Sequence, residues 1–245
     1  MFEYYIFFMI LILIVGGWSY AASAKVQRTF QAQMQIGTRS HMTGYDTAVR
    51  LLRAGGVTDI SVHRVKGTLT DHYHPTKKQV NLSQSVYAND SIAAVAVAAH
   101  EIGHVMQKKS GYAPYKLRAW LVPITNFGSR LALPLVLVGL ILDIAVGFTQ
   151  EQTLGYMLAM AGVALYGLST VFALATLPVE YNASKRAKKM LLEQGIITEQ
   201  ELPYAQQMLD AAAKTYVAAL ATSLVYFLRF AVWVLMIFGN RSRRD

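Results

Sequence analysis

The chain has 245 residues, of which 54% are hydrophobic and only 15% are charged, and its formal net charge is +9. Soluble domains have about 25% charged residues, so this composition argues against a purely soluble protein. The chain has no cysteine, which excludes disulfides and thiolate metal sites. Because the basic residues flank apolar segments and no nucleic-acid-binding motif is present, the charge favours bilayer lipid rather than nucleic acid as a partner.

The first apolar segment, Tyr4–Ala24, has no charged residue. A helix of about 20 apolar residues is long enough to cross a bilayer. A cleaved signal peptide is the alternative, but the residues before this segment include Glu3 and no lysine or arginine. The basic region that opens a signal peptide is therefore missing, which favours a retained transmembrane anchor.

The next part of the chain, residues 25–125, has the composition of a water-exposed region. Tyr45–Arg53 is predicted to be a short helix that ends at a pair of glycines. Ile60–Val65 predicts a strand, and Gly67–Ser83 predicts a β-hairpin that turns at Pro75. A helix is then expected over Ile92–Lys109, since three residues suited to an N-cap precede it.

Three further apolar segments follow. Leu131–Phe148 and Leu154–Leu177 predict a transmembrane hairpin around a short polar connection, together covering the region 126–177. The segment 178–215 is charged and predicted to be helical, and Tyr216–Phe238 is the fourth apolar run. Arg229 lies inside that run, so we expect it either to pair with a carboxylate or carbonyl in a bundle or to keep the run from crossing fully.

The distribution of basic residues predicts the orientation. Residues 25–130 contain 14 lysines and arginines, residues 178–215 contain 5, and residues 149–153 contain none. The positive-inside rule therefore places both long segments in the cytoplasm and makes the chain a multi-pass membrane protein. The basic tail at 239–245 disagrees, because four crossings would leave it outside.

The predicted helix over Ile92–Lys109 contains the sequence His100-Glu101-Ile102-Gly103-His104, an H-E-x-x-H pattern. Residues at i and i+4 share one face of a helix, so both imidazoles can bind one Zn²⁺. Glu101 is then suited to act as the general base toward a zinc-bound water. The alternative is a structural helix with chance histidines, because the pattern occurs on the order of once in a hundred random chains of this length.

A catalytic zinc site needs a third protein ligand. A metzincin would have histidine where Ser110 stands, which excludes that class. Among the later acidic residues, Glu180 follows the third apolar segment on the same predicted side of the membrane as the motif. We therefore expect Glu180 to be the third ligand. Its alternative role is a first-turn carboxylate that interacts with a helix dipole.

Five strings of the sequence are distinctive: Asp71-His72-Tyr73, Asn81-Leu82-Ser83, Ser91-Ile92-Ala93-Ala94, Ala98–His104 and Thr176–Ser184. With these strings the chain resembles the YugP-type neutral zinc metallopeptidases of bacteria, which implies a location in the bacterial cytoplasmic membrane. The resemblance implies a membrane-bound gluzincin fold, similar to HtpX-like and CAAX prenyl proteases, with Glu180 as third ligand. Those relatives have aspartate where this chain has Ser184, so Ser184 or Asn182 is expected to hold a ligand histidine.

We therefore expect a mainly α-helical membrane protein of α+β type. About four transmembrane helices would accompany a small cytoplasmic zincin-like domain with a short β-hairpin or sheet. The predicted activity is zinc-dependent hydrolysis of peptide bonds in membrane or membrane-associated proteins, with one Zn²⁺ per chain. The alternative is a metal-binding pseudoenzyme that acts as a scaffold, and the absence of symmetric halves argues against a transporter.

The predicted hairpin has a further expected role. Its return strand, 79–83, leads toward the motif helix, so it could bind substrate as an added strand, with plain structural pairing as the equal alternative. His72 and Tyr73 could donate to the oxyanion of the transition state, or they could be ordinary strand residues.

Overall fold

The structure is a computed structural model that describes residues 2–146 and 154–239. The predicted polar connection at 149–153 and the tail beyond residue 239 lie outside the described residues. The elements are α1 (Phe2–Gln33), α2 (Gly44–Ala54), β1 (Ser61–Val65), β2 (His72–His74), β3 (Gln79–Ser83), α3 (Gln84–Tyr87), α4 (Ile92–Lys109), α5 (Ala113–Val146), α6 (Leu154–Glu193) and α7 (Leu202–Gly239). The described part of the chain is therefore mostly helical, with one small sheet.

Four of these helices, α1, α5, α6 and α7, are long and apolar enough to cross a membrane. Each contains an 18-residue stretch with a mean hydropathy of 1.9 to 2.0. An α-helix rises about 1.5 Å per residue, so about 20 apolar residues span the hydrocarbon core. The described part of each of the four apolar segments falls in one of these helices.

One predicted helix start is wrong. The third apolar segment and the first part of the charged segment, as far as Glu193, form the single helix α6, which continues through Pro178. Glu180 is therefore in a helix interior and not in a first turn. Ending a helix leaves about four N–H or four C=O groups without helical partners, whereas one proline removes a single N–H donor. The chain therefore loses fewer backbone hydrogen bonds by continuing the helix through Pro178 than by ending it there.

The chain divides into two compact units. The first comprises residues 1–19, 117–176 and 216–245, and it holds the apolar parts of the four long helices. The second comprises residues 20–116 and 177–215. It holds α2, α3, α4 and the sheet, together with the polar ends of α1, α6 and α7.

The sheet of the second unit has the order β1-β3-β2. Strand β2 pairs antiparallel with β3, and the two form the predicted hairpin around Pro75. Strand β1 pairs parallel with β3 along its other side. The central strand is therefore 79–83, and both of its edges are occupied. Of the two alternatives for this strand, substrate addition is therefore wrong and structural pairing is observed, because β2 is the edge strand on that side.

Helix α4 forms the centre of the second unit. The Ser91 side chain accepts a hydrogen bond from the backbone N–H of Ala94 at 3.2 Å and so caps the helix. The run of small apolar residues from Ile92 to Ala99 is almost entirely buried, as is Ile102. Lysines occupy the last turn, where they interact favourably with the helix dipole. Burial on most sides fixes the position of the two histidines that this helix carries.

Candidate metal centre

His100 and His104 lie one turn apart on α4. Their ring centroids are 4.8 Å apart, and the ring planes are nearly perpendicular at 87°. Both side chains are largely buried, with 14% and 9% of their surface exposed. The i, i+4 spacing therefore brings two imidazoles to one point on the face of α4 that meets α6.

Helix α6 brings Glu180 to this point. Its Oε2 atom is 3.1 Å from Nε2 of His100 and 3.5 Å from Nε2 of His104. The close approach of the helices depends on Gly103, since a Cβ atom there would lie 2.6 Å from the carbonyl oxygen of Ala183. Glycine inside the motif thus removes the side chain that would hold α6 away.

The spacing of the three groups fits a zinc ion. One ligand atom from each of His100, His104 and Glu180 can be chosen so that all lie within 4.8 Å of one another. Ligands about 2.1 Å from a tetrahedral Zn²⁺ lie roughly 3.4 Å apart. The two measured separations, 3.1 and 3.5 Å, bracket that value. Two imidazoles and one carboxylate are also a ligand set that catalytic zinc sites use.

The orientation of the His104 ring is set by Gln107. The Gln107 amide nitrogen donates to the Val179 carbonyl at 2.7 Å and to Asn182 Oδ1 at 3.1 Å, so Oε1 faces the ring. This oxygen can only accept, and it lies 3.0 Å from Nδ1 of His104. The ring therefore donates from Nδ1 and directs Nε2 toward Glu180. A neutral imidazole in this tautomer presents a lone pair there, as a metal ligand requires.

The chain of polar contacts continues outward from Gln107. Asn182 Oδ1 also accepts from Nε of Arg186 at 2.8 Å, which fixes the Asn182 amide. Arg186 donates to Ser110 at 3.1 Å, just beyond the end of α4. Gln107 is fully buried, so each of its hydrogen bonds replaces one that water would otherwise make. Asn182 thus supports His104 through Gln107 and does not touch the ring.

Ser184 contacts the other histidine. Its Oγ atom is 3.2 Å from Nδ1 of His100, while Nε2 of the same ring faces Glu180. Glu180 and Ser184 are one turn apart on α6, so the two residues hold the two nitrogens of a single ring. The resemblance left Ser184 and Asn182 as alternatives, and in the structure each supports a different histidine.

Burial and the contacts within the cluster shift the pKa values of Glu180 and His104 in opposite directions. Burial of the Glu180 carboxyl favours its neutral form, but its contacts with His100 and His104 outweigh this and hold its pKa well below the usual range. Glu180 lies beyond the apolar part of α6. Burial also lowers the pKa of His104, and the contacts with Glu180 and Glu101 more than reverse that effect. The site therefore stabilises positive charge between the imidazoles and the carboxylate.

Glu101 is held by the edge strand of the sheet. Its Oε2 atom accepts a hydrogen bond from the backbone N–H of Tyr73 at 2.9 Å. That N–H points away from β3, which makes Tyr73 a non-hydrogen-bonded position of the ladder. The Tyr73 ring packs against the core, and burial raises the pKa of its hydroxyl to about 12. Tyr73 therefore contacts Glu101 through its backbone N–H.

His72 and Asp71 fix the start of β2. The His72 ring donates from Nδ1 to the Thr70 carbonyl at 2.9 Å and accepts at Nε2 from the Asn81 amide at 3.1 Å. The half-buried Asp71 carboxylate accepts from the backbone N–H of Ser83 at 2.6 Å and from its hydroxyl at 2.9 Å. Burial raises the pKa of Asp71 despite these bonds. Both side chains tie β2 to β3, and His72 does not join the cluster of His100, His104 and Glu180.

Comparison with known proteins agrees with this chemistry. The family described as "Putative neutral zinc metallopeptidase" matches residues 5–235. The chain belongs to this family. A relative from Bacillus subtilis (strain 168), named "Putative membrane protease YugP", is 40% identical over 233 residues, which cover 95% of this chain and 97% of the relative. No solved structure matches the chain.

Sequence reasoning about this metallopeptidase missed one supporting residue. Gln107 stands where a metzincin would have glycine, and it is not among the residues predicted to support the site. A signal was present, because Gln107 is three residues after His104 and so lies on the same face of α4. An uncharged amide on a buried face has few roles other than to satisfy hydrogen-bonding groups near it.

Proposed function

We propose that this zinc metallopeptidase is an endopeptidase that cleaves membrane or membrane-associated proteins, with one Zn²⁺ held by His100, His104 and Glu180. The observation that carries the proposal is the convergence of Nε2 of both histidines and Oε2 of Glu180 at 3.1 and 3.5 Å. When bound, zinc supplies a Lewis acid that polarises a peptide carbonyl and lowers the pKa of water.

Glu101 is assigned the role of general base. Its Oε2 atom is occupied by the Tyr73 N–H, while Oε1 has no hydrogen bond to another described residue. Oε1 is therefore the atom suited to take a proton from the attacking water and to pass it to the leaving amine nitrogen. The hydrogen bond from Tyr73 keeps the carboxylate directed toward the reacting groups.

Strand β2 is the proposed site of substrate binding. At a non-hydrogen-bonded position, the N–H and C=O of Tyr73 both point away from the neighbouring strand. The Tyr73 carbonyl can thus accept a hydrogen bond from an extended peptide that lies along β2, next to Glu101. Such strand addition supplies main-chain hydrogen bonds that do not depend on the substrate sequence.

The proposed location is the cytoplasmic membrane, with the metal centre facing the cytoplasm. The support is the excess of basic residues in 25–130 and 178–215 over none in 149–153. Because the chain has no cysteine, single cysteines introduced as Glu199→Cys and Gln150→Cys can be labelled selectively. In spheroplasts, an impermeant maleimide should label only Gln150→Cys. Labelling of Glu199→Cys alone would reverse the proposed orientation.

The experiment that tests the catalytic roles combines metal content with proteolysis. The full chain would be purified in detergent as wild type, Glu101→Gln and Glu180→Ala. We expect one zinc per wild-type chain and cleavage of an unfolded membrane protein. Glu101→Gln should keep its zinc and lose cleavage, because it retains the shape of the side chain without the base. Glu180→Ala should lose most of the zinc.

Two results would contradict the assignments. Normal zinc in Glu180→Ala would remove Glu180 from the ligand set. Full cleavage by Glu101→Gln would remove Glu101 as the base. A wild-type protein that binds zinc fully but cleaves no substrate would favour the scaffold alternative over the endopeptidase.

A further inference from the structure

Arg229 is a charged residue inside the apolar part of α7. The apolar run Tyr216–Phe238 contains no other charged residue, and Arg229 is exposed on the surface of the helix. A charged side chain in a membrane-spanning helix is costly unless it has a partner, and residues of this kind usually have a function. The presence of Arg229 therefore needs a specific explanation.

A cavity of about 520 Å³ lies beside Arg229 within the first compact unit. Besides the arginine, it is lined by four tyrosines and by Trp233, together with three other residues; the tyrosines are Tyr4, Tyr5, Tyr166 and Tyr226. Cavities of 300–1,000 Å³ are typical of small-molecule sites. The lining is apolar in its body but carries several groups that can donate hydrogen bonds.

The donors of this cavity have few partners within the protein. Among the residues that the structure describes, no carboxylate forms an ion pair with Arg229. Tyr4 donates its hydroxyl to the backbone carbonyl of Arg229 and so joins α1 to α7. The hydroxyls of Tyr5, Tyr166 and Tyr226 make no hydrogen bond to another described residue. One guanidinium and three hydroxyls are thus available to a ligand that has hydrogen-bond acceptors.

We propose that this cavity binds the headgroup of an anionic phospholipid, with Arg229 paired to its phosphate. A phosphate accepts several hydrogen bonds, and arginine matches its geometry in a bidentate manner. Basic pockets between transmembrane helices bind acidic lipid headgroups in this way. Tyrosine and tryptophan suit such a site, because their rings contact lipid while their polar ends donate hydrogen bonds.

A lipid fits these features better than a partner helix does. Tyr5 and Tyr226 are 45% and 38% exposed, so the cavity opens to the surroundings of the apolar unit. In a membrane those surroundings are lipid. A phosphate must be desolvated there just as a protein carboxylate would be. The lipid differs in bringing acyl chains that the apolar helices can contact.

Native mass spectrometry of the full chain would test this proposal. The protein would be presented with equal amounts of phosphatidylglycerol and phosphatidylcholine in detergent. The wild type should retain one phosphatidylglycerol in preference to phosphatidylcholine. Arg229→Gln should weaken that binding about tenfold, since a charge-assisted hydrogen bond is lost. Arg130→Gln is the matched control, because Arg130 is also exposed on an apolar helix but does not line the cavity.

A second measurement would locate the lipid. The chain has three tryptophans, so Trp18→Phe and Trp120→Phe together leave Trp233 as the only emitter. Brominated phosphatidylglycerol should quench this emission in vesicles of phosphatidylcholine, and Arg229→Gln should need about tenfold more of the brominated lipid. Arg229→Lys keeps the charge and should keep part of the preference for phosphatidylglycerol. Partial binding by this variant would distinguish loss of lipid binding from loss of folding in Arg229→Gln.

Several results would overturn the proposal. Equal retention of the two lipids by the wild type is one, and undiminished selectivity in Arg229→Gln is another. A dimer that dissociates in Arg229→Gln while lipid selectivity is unchanged would instead assign Arg229 to a contact between proteins.

Discussion

The Nδ1 atom of His104 lies 3.0 Å from Oε1 of Gln107, and the Gln107 amide is held in that orientation by the Val179 carbonyl. One glutamine on α4 thus determines which nitrogen of His104 faces Glu180 on α6. The bonds of Gln107 to Val179 and Asn182 also join the two helices next to the ligand groups. The position of the proposed metal ligands and the packing of α4 against α6 therefore depend on the same side chain.

Replacing Gln107 with leucine should weaken zinc binding by about 10- to 100-fold, the usual effect of losing a residue that orients a ligand. Leucine fills similar space but leaves the buried His104 N–H without its hydrogen-bond acceptor, so unfolding should also become easier by about 1–3 kcal/mol. Zinc affinity would be measured by competition with a chelator. Gln206→Leu, at an exposed position of α7, is the control and should match the wild type. Unchanged affinity in Gln107→Leu would show that His104 is oriented by other contacts.

Local patterns predicted much of the fold. The length and hydropathy of the apolar runs correspond to the four long helices, and Ser91 and the glycines after α2 correspond to helix ends. The position of Glu180 within α6 was not predicted, because Pro178 and the change in polarity resemble a boundary. The central position of β3 depends on its parallel pairing with β1, a contact between distant residues that alternation within one strand does not reveal.

The site shows the same division between local and distant contacts. The spacing of His100 and His104 is local, so the sequence could place both on one face of α4. The contact of Glu101 with Tyr73 joins residues 28 positions apart and depends on the sheet. Likewise, the separate roles of Asn182 and Ser184 depend on how α6 packs against α4. The absence of a side chain at Gly103 permits this close packing.

Gly103 provides a direct test of that helix crossing. In Gly103→Ala the new Cβ would meet the Ala183 carbonyl oxygen at 2.6 Å, so α4 and α6 must move apart. We expect a loss of about 1–3 kcal/mol in the free energy of unfolding, as for other overpacked sites, together with weaker zinc binding. Gly17→Ala is the control, since nothing lies within 4 Å of the added atom. That variant should be neutral or slightly stabilising, because alanine favours the helix. Both would be compared by thermal unfolding in detergent, and equal stability of the two would contradict the crowding at Gly103.

Tyr73 should act on catalysis through its backbone. Tyr73→Pro removes the backbone N–H that donates a hydrogen bond to Glu101, and proline is tolerated on an edge strand. Cleavage by this variant should fall by about 10²-fold or more, the usual contribution of a positioned base, while bound zinc stays at the wild-type level. Tyr73→Ala serves as the control, since it loses the ring but keeps the N–H. If the two variants lose the same activity, the ring and not the backbone supports the site.

Glu201 should contribute stability that depends on pH. Its carboxylate accepts from the backbone N–H and hydroxyl of Thr198 at 2.7 and 2.9 Å and from the backbone N–H of Arg39 at 2.8 Å. Burial favours the neutral acid, but these bonds outweigh it and hold the pKa of Glu201 below its usual value. A carboxyl whose pKa is lower in the folded state stabilises the protein above its unfolded-state pKa, which is about 4.3 for glutamate.

That stabilisation is therefore complete near neutral pH and is lost as the pH falls through the folded-state pKa of Glu201. Glu201→Gln should melt at a lower temperature than the wild type at pH 7, and the difference should shrink steadily between about pH 5 and pH 3. Glu199→Gln, on the exposed turn two residues earlier, should show little difference at any pH. Melting curves in detergent across this range would measure both. A difference between Glu201→Gln and the wild type that stays constant down to pH 3 would mean that the hydrogen bonds, and not the charge of Glu201, stabilise the connection between α6 and α7.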